Sequence, residues 1–239
     1  MQNAIHMLKS VTNIQMNSFV ITAEDGHIVL VDGGFDQDAE YLIAYLREIT
    51  GQARPHVDAW ILTHPHIDHI SAFMTIVEEH PDAIQFDRVL FNFPSIQFVS
   101  SESRDAMEPL ERFYRDLPRF ADKIVICSGG DRYDFGEAHF DILCSADSAL
   151  NVNVCNNSCL VFRLELGKKT ALFLADCGEE EGRQAAFDVG SGQAVRRYLP
   201  DGAPRPGGRE AEFLRGCAPG DVHLVRAGLA VEQRRGQGL

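Results

Sequence analysis

The sequence predicts an α/β fold, and three observations carry the prediction. Short apolar runs of strand length alternate with segments of helical periodicity along roughly the first three quarters of the chain. One run, Ala171-Leu-Phe-Leu-Ala, has no polar face, as befits a central strand buried on both sides. A strand, a loop and a helix follow one another from Ala59 to Val77, an order that puts loop residues at a strand's C-terminal end.

Taken in order, Ser18–Thr22 and His27–Val31 flank the turn Glu24-Asp25-Gly26 and read as a hairpin. Asp36–Thr50 carries Leu42, Ile43, Leu46 and Ile49 at helical spacing, with Gly51 as its stop. Strand Ala59–Leu62 leads into a polar loop and then a helix through Phe73, Ile76 and Val77, which ends before Pro81. Arg88–Phe93 reads as a strand, and Asp105–Phe120 as an amphipathic helix interrupted near Pro109, its charges a solvated face. Phe140–Cys144 follows, then Leu160–Leu166, where Leu160, Phe162, Leu164 and Leu166 alternate with Val161, Arg163 and Glu165. Gly167-Lys168-Lys169 turns the chain into Ala171–Ala175.

The loop after Leu62 is Thr63-His64-Pro65-His66-Ile67-Asp68-His69. Side chains two apart on extended backbone point the same way, so His64 and His66 can converge on one ion, and Asp68 and His69, beyond the bend, can face another. Imidazole and carboxylate donors suit zinc, with manganese or iron as alternatives, and two divalent ions about 3.5–4 Å apart can hold a bridging hydroxide for attack on an ester or phosphodiester. A histidine-rich surface loop is the plain alternative. Asp176 ends the apolar run 171–175, where an unpaired buried carboxylate would cost several kcal/mol. A metal ion is one partner for it; a capping role toward Glu179-Glu180-Glu181 is the other. Asn156 and Asn157 lie between strands, where asparagine commonly makes turns.

These residues resemble the metallo-β-lactamase superfamily: Thr63–His69 is similar to its metal-binding signature, and Asp32-Gly33-Gly34 to its early Asp-Gly-Gly turn. Asn156-Asn157-Ser158-Cys159-Leu160-Val161 followed by Ala171–Asp176 resembles the branch related to the soluble domain of competence proteins, which take up DNA. The resemblance covers roughly residues 15 to 182 and implies a four-layer αββα sandwich with metals at the sheet edge. It implies that Asp176 bridges the two ions, that Asp32 orients the loop without binding metal, and that Asn157 positions substrate. A water bound to metal would attack, with Asp68 also able to take its proton. The signature continues with Ile70-Ser71 rather than the Gly-Gly of glyoxalase-like and lactamase-like members, which weighs against those substrates. The middle histidine of the family has no match here: His80 follows a helix and His139 sits in a strand.

Composition describes a globular protein with length for one core, 45% hydrophobic and 24% charged among 239 residues. No run approaches a membrane span and no leader pattern opens the chain, so a cytoplasmic location without membrane partners is expected. The six cysteines form no Cys-x-x-Cys pair and read as ordinary reduced thiols, Cys177 included. The net charge is −13, and residues 1–182 carry 29 acidic against 13 basic side chains. Such a field disfavours a nucleic-acid partner and favours a small ester or phosphodiester substrate.

From about Arg183 the composition changes: every lysine, isoleucine, threonine, asparagine, methionine and tryptophan lies before it. Residues 183–239 read either as a low-complexity tail or as a reading-frame slip near residues 182–185, and the second reading is preferred. Synonymous codons for Pro200–Gly208, read one base later, permit Gln-Met-Ala-His-His-Gly-Gln-Gly, and the resemblance calls for His-His-Gly after the bridging aspartate. The expectation is therefore a metallo-β-lactamase-like domain over 1–182, incomplete at its C-terminal end. As written, the tail offers His223 alone, a weak ligand candidate, so an inactive metal-binding domain lacking the last histidine stands as the alternative.

Overall fold

Two β-sheets pack face to face with helices on one outer side, and strand alternation decides which side chain goes to which layer. The computed structural model describes residues 1–99, 104–146, 154–177 and the backbone of 222–225. The first sheet has the order β1 (Ala4–Met7), β2 (Ser18–Thr22), β3 (Ile28–Asp32), β5 (Ala59–Ile61), β7 (Val89–Phe91) and β8 (Ile124–Ile126). Its first three strands pair antiparallel and the rest are parallel. A short parallel pair, β4 (His56–Val57) with β6 (Gln85–Phe86), lies beside it in sequence. The second sheet is β13 (Val222–Val225), β12 (Lys169–Phe173), β11 (Val161–Leu166), β10 (Ala138–Cys144) and β9 (Arg132–Phe135), antiparallel except for the β12–β13 pair.

Between the sheets, Phe19, Ile21, Val29, Val31 and Ile61 of the first meet Phe140, Ile142, Phe162, Leu164 and Phe173 of the second. Phe19 meets Phe173 edge to face across this gap, with ring centres 5.3 Å apart. The alternate residues Val20, Leu30, Trp60 and Val89 face the other way, into the helices. There α1 (Ala39–Thr50) contributes Leu42 and Leu46, α2 (Ile67–Glu79) contributes Ile70, Phe73 and Ile76, and, beyond the short α3 (Ile96–Val99), α4 (Arg104–Asp116) contributes Leu110 and Phe113. The described residues thus supply three layers of an α/β sandwich, helix, sheet and sheet. The tail reading and the missing C-terminal elements concern residues outside the described ones, apart from strand β13.

Most expected elements appear within a residue or two. Gly51 ends α1 in the left-handed region, at φ 67°, and returns its N–H to Arg47 O. The expected interruption at Pro109 is absent: α4 runs through this interior proline, which offers no N–H to the preceding turn, and Leu110 and Phe113 just beyond it are fully buried. A 3-10 stretch, Leu117–Lys123, follows instead of further α-helix. Strands β1, β8 and β9 were not expected from the sequence, being short and half exposed with little alternation to reveal them. Among the described residues no helix is long and apolar enough to cross a membrane.

Candidate metal centre

The centre is built on the C-terminal ends of β3 and β5, where the Asp32 carboxylate gathers the elements around it. Asp32 stands at φ 53°, a strained setting for a residue other than glycine, and its side chain is fully buried. It accepts hydrogen bonds from Thr63 N–H (2.8 Å), Thr63 Oγ1 (2.7 Å) and Asn17 Nδ2 (2.8 Å), and pairs with His69 Nδ1 (2.8 Å). Its backbone carbonyl accepts the indole N–H of Trp60 at 2.8 Å. The glycines that follow bring α2 in: the N–H groups of Gly33 and Gly34 both bond to His69 O, and Ala72 N–H bonds to Gly34 O.

The loop ends sooner than the sequence suggests. His66 is the extended residue at the N-terminal boundary of α2, and its carbonyl accepts from Ile70 N–H, so Asp68 and His69 sit in the helix's first turn. A carboxylate there is favoured by the helix dipole. The spacing rule for extended chain still applies to His64 and His66, whose Nε2 and Nδ1 lie 3.1 Å apart.

His69 has its two ring nitrogens in different surroundings. Nδ1 is fixed by Asp32, whereas Nε2 is buried without a hydrogen-bond partner, 3.7 Å from Asp68 Oδ2 and 3.8 Å from Asp176 Oδ1. Those separations are too long for hydrogen bonds but match ligands sharing one ion at metal bonds of about 2.0–2.2 Å. Burial opposes a charge on His69, yet the carboxylate and hydrogen bond of Asp32, with Asp68 and Asp176 beyond, outweigh it and raise its pKa to about 9. His64 goes the other way: burial first, then the neighbouring His69 and His66, hold it well below the usual histidine range. Without a metal, one imidazole is thus held neutral, while the carboxylates around the other favour its protonated, cationic form.

Asp176 arrives from the second sheet. β12 ends at Phe173, and Ala175, at φ 46°, turns the chain so that the carboxylate meets the loop. Ligating atoms of His64, His69 and Asp176 lie within 4.8 Å of one another, with Asp68 beside His69 and His66 beside His64. The buried lone nitrogen of His69 and this donor set fit a divalent cation.

Asn157 is buried in a 3-10 turn, Asn156–Ser158, and two residues after that turn Leu160 N–H bonds to Thr63 O at 2.9 Å. The asparagines therefore do form a turn, one tied to the metal loop. His80 closes α2, and His139 pairs with Asp134 on the second sheet, 2.6 Å away. Neither enters the centre. Cys177 is buried in a small apolar cluster with Cys144, Cys159, Val161, Leu172 and Leu174. Asn17 and Trp60 were not singled out from the sequence as site residues. Each acts through one polar atom on Asp32, and nothing in a single sequence marks an atom of that kind.

No curated protein matches the chain. Solved structures of related course include a mutant of CmlA β-hydroxylase (16% identity, 70% of this chain and 30% of that one, TM-score 0.42). Another is a metallo-β-lactamase with a HARLDQ motif from Cronobacter sakazakii (13% identity, 72% and 61%, TM-score 0.47). A third is the subclass B3 metallo-β-lactamase MEM-A1 from a soil metagenome library (11% identity, 67% and 57%, TM-score 0.45). The aligned region thus spans less than two thirds of each of these three chains. The model of the metallo-beta-lactamase superfamily matches residues 11–85, from the approach to β2 through the Asp-Gly-Gly turn, the histidine loop and α2. Over the segment that holds Asp32 and His64–His69, the chain is similar to the metallo-beta-lactamase superfamily.

Proposed function

We propose that this protein is a metal-dependent hydrolase acting on a phosphodiester or another small ester. The observation that carries the reading is His69 Nε2: buried, without a hydrogen-bond partner, fixed through its other nitrogen by Asp32, and aimed between Asp68 and Asp176. His64, His66, Asp68, His69 and Asp176 would hold the divalent ions between them. Zinc suits these donors best. When bound, such ions acidify water and stabilise negative charge developing on the substrate oxygen. Asp32 keeps the His69 ring oriented, a role in which outer carboxylates commonly serve metal-bound histidines. Asp68 accepts the proton of the attacking water, and Asn157 orients the substrate. The phosphodiester preference leans on the likeness of residues 156–161 and 171–176 to the competence branch. The acidic charge of residues 1–182 favours a small substrate over a polynucleotide.

A second reading, a metal-binding domain without catalysis, draws on the absence of any histidine beyond His64, His66 and His69 at the centre among the described residues. One experiment separates the two. The full chain is stripped with chelator, reloaded with zinc, analysed for metal content, and assayed on bis(p-nitrophenyl) phosphate and p-nitrophenyl acetate. Zinc-restored turnover on either ester, with two of the bound ions lost in Asp176→Ala, supports the hydrolase; no turnover on either ester, with at most one ion lost in that variant, supports the binding domain.

A further inference from the structure

At the other end of the same strands lies a second group of metal-ligating side chains. His27, Asp58 and Asp87 precede β3, β5 and β7, three neighbouring parallel strands, and His56 opens β4. Asp58 is five residues before Thr63, which sets this group about 16 Å from the histidine loop along an extended chain. His56 Nε2 lies 3.0 Å from Asp87 Oδ2, and ligating atoms of His56, Asp58 and Asp87 fall within 4.8 Å of one another. His27 Nδ1 meets Asp58 Oδ1 at 2.7 Å.

The backbone fixes each of these residues. Asp58 N–H bonds to Ile28 O, and the Ile28 N–H returns to Asp58 Oδ2, both at 2.8 Å. His56 pairs with Gln85 in the β4–β6 ladder, and Asp87 N–H bonds to Val57 O. His56 and Asp58 are two apart on extended chain and so share a face, the same rule that aligns His64 with His66. No lysine or arginine forms an ion pair with Asp58 or Asp87 among the described residues; their ion-pair partners are His27 and His56. Two carboxylates beside two imidazoles leave a double negative charge when the rings are neutral, which a divalent ion would cancel. The position is open to solvent, with His56 40% and Asp87 52% exposed, so an ion can enter without opening the fold.

We propose that His56, Asp58 and Asp87 form a second, separate metal site for one zinc-class divalent ion, with His27 orienting Asp58 from behind. Imidazole with carboxylate donors favours zinc, nickel or copper over magnesium or calcium. Three protein ligands leave a fourth position for water, and the site ties β4 and β6 to the N-terminal ends of β5 and β7 rather than performing chemistry. It stands independently of the hydrolase reading.

The test uses metal-free full chain with zinc ion alone. Bound zinc is counted after equilibrium dialysis for the unaltered protein and for His56→Gln and Asp87→Asn, both exposed positions whose replacement leaves the core intact. The expected result is one zinc fewer per chain in each variant, and a zinc-dependent shift of the His56 ring in nitrogen-15 spectra of the unaltered protein. Asp32→Asn, acting at the opposite end of the strands, leaves that His56 shift in place. An unchanged zinc count in both variants, or a His56 ring that does not respond to zinc, overturns the proposal.

Discussion

Asp32 Oδ2 lies 2.8 Å from His69 Nδ1, and both side chains are wholly removed from solvent. This contact joins the end of β3 to the first turn of α2 and decides which nitrogen of His69 faces the centre. Removing one member of a buried pair leaves the other uncompensated, at a cost of about 3–5 kcal/mol. Asp32→Asn is therefore expected to lower the stability of the metal-free protein by about that amount, and zinc affinity about 10–100-fold through loss of ring orientation. Chemical denaturation and zinc competition against a chelator measure the two effects. Equal zinc affinity in variant and parent would argue that Asp32 serves the fold alone.

Trp60, the one tryptophan, donates its indole N–H to Asp32 O from a fully buried position. Trp60→Phe keeps an aromatic ring against Phe73 but leaves that carbonyl without its donor, a loss of about 1–3 kcal/mol. Melting followed by circular dichroism should show the drop. Because the indole touches the residue that holds His69, the parent's tryptophan emission should also change on adding zinc.

Gly34 sits at φ 90°, and a Cβ there would run into Met16 Sδ and come within 2.8 Å of Asp38 Oδ2. Gly34→Ala should cost about 1–2 kcal/mol for the left-handed backbone and about 1–3 kcal/mol more for the overlap. Gly26, at φ 99°, has nothing within 4 Å of the same added atom. Gly26→Ala should therefore lose only the backbone part, and the difference between the two variants in urea denaturation isolates the crowding beside the metal loop.

His6 gives the fold a pH response away from the centre. Thr22 Oγ1 donates to Gln2 O and so accepts from His6 Nε2, which leaves His6 Nδ1 as the acceptor for Tyr45 O–H at 2.8 Å. Burial holds this neutral ring below its usual pKa of 6.5. The unfolded chain then takes up the proton more readily. The stability His6 contributes is complete above pH 6.5 and is lost as pH falls through the lowered folded value. Melting temperature between pH 7 and 5 should fall less steeply in His6→Gln than in the parent; parallel curves would remove His6 from the acid response.

The strand alternation of Phe162, Leu164 and Leu166 and the all-apolar run 171–175 placed β11 and β12 correctly, because burial on one face or on two leaves a direct mark on residue order. The helical spacing of Leu42, Ile43 and Leu46, with Gly51 beyond, did the same for α1. Pro109 misled, since the burial of Leu110 and Phe113 in the core holds α4 together through an interior proline. Strands β1, β8 and β9 left no such mark, because edge strands are held by a neighbour's backbone rather than by their own pattern.

The sequence by itself determined that His64, His66, Asp68 and His69 stand together, since their spacing is local and two-residue periodicity is a property of extended backbone. Tertiary structure alone decided the rest. Asp176 lies more than a hundred residues from the loop and reaches His69 because the second sheet packs on the first, Phe173 of β12 against Phe19, while Asn17 and Trp60 matter through side-chain hydrogen bonds to Asp32. The grouping of His56, Asp58 and Asp87 likewise exists because β5 and β7 are neighbours and the β4–β6 pair holds His56 beside Asp87. Contacts made across strands depend on sheet order and register, which no local pattern of residues encodes.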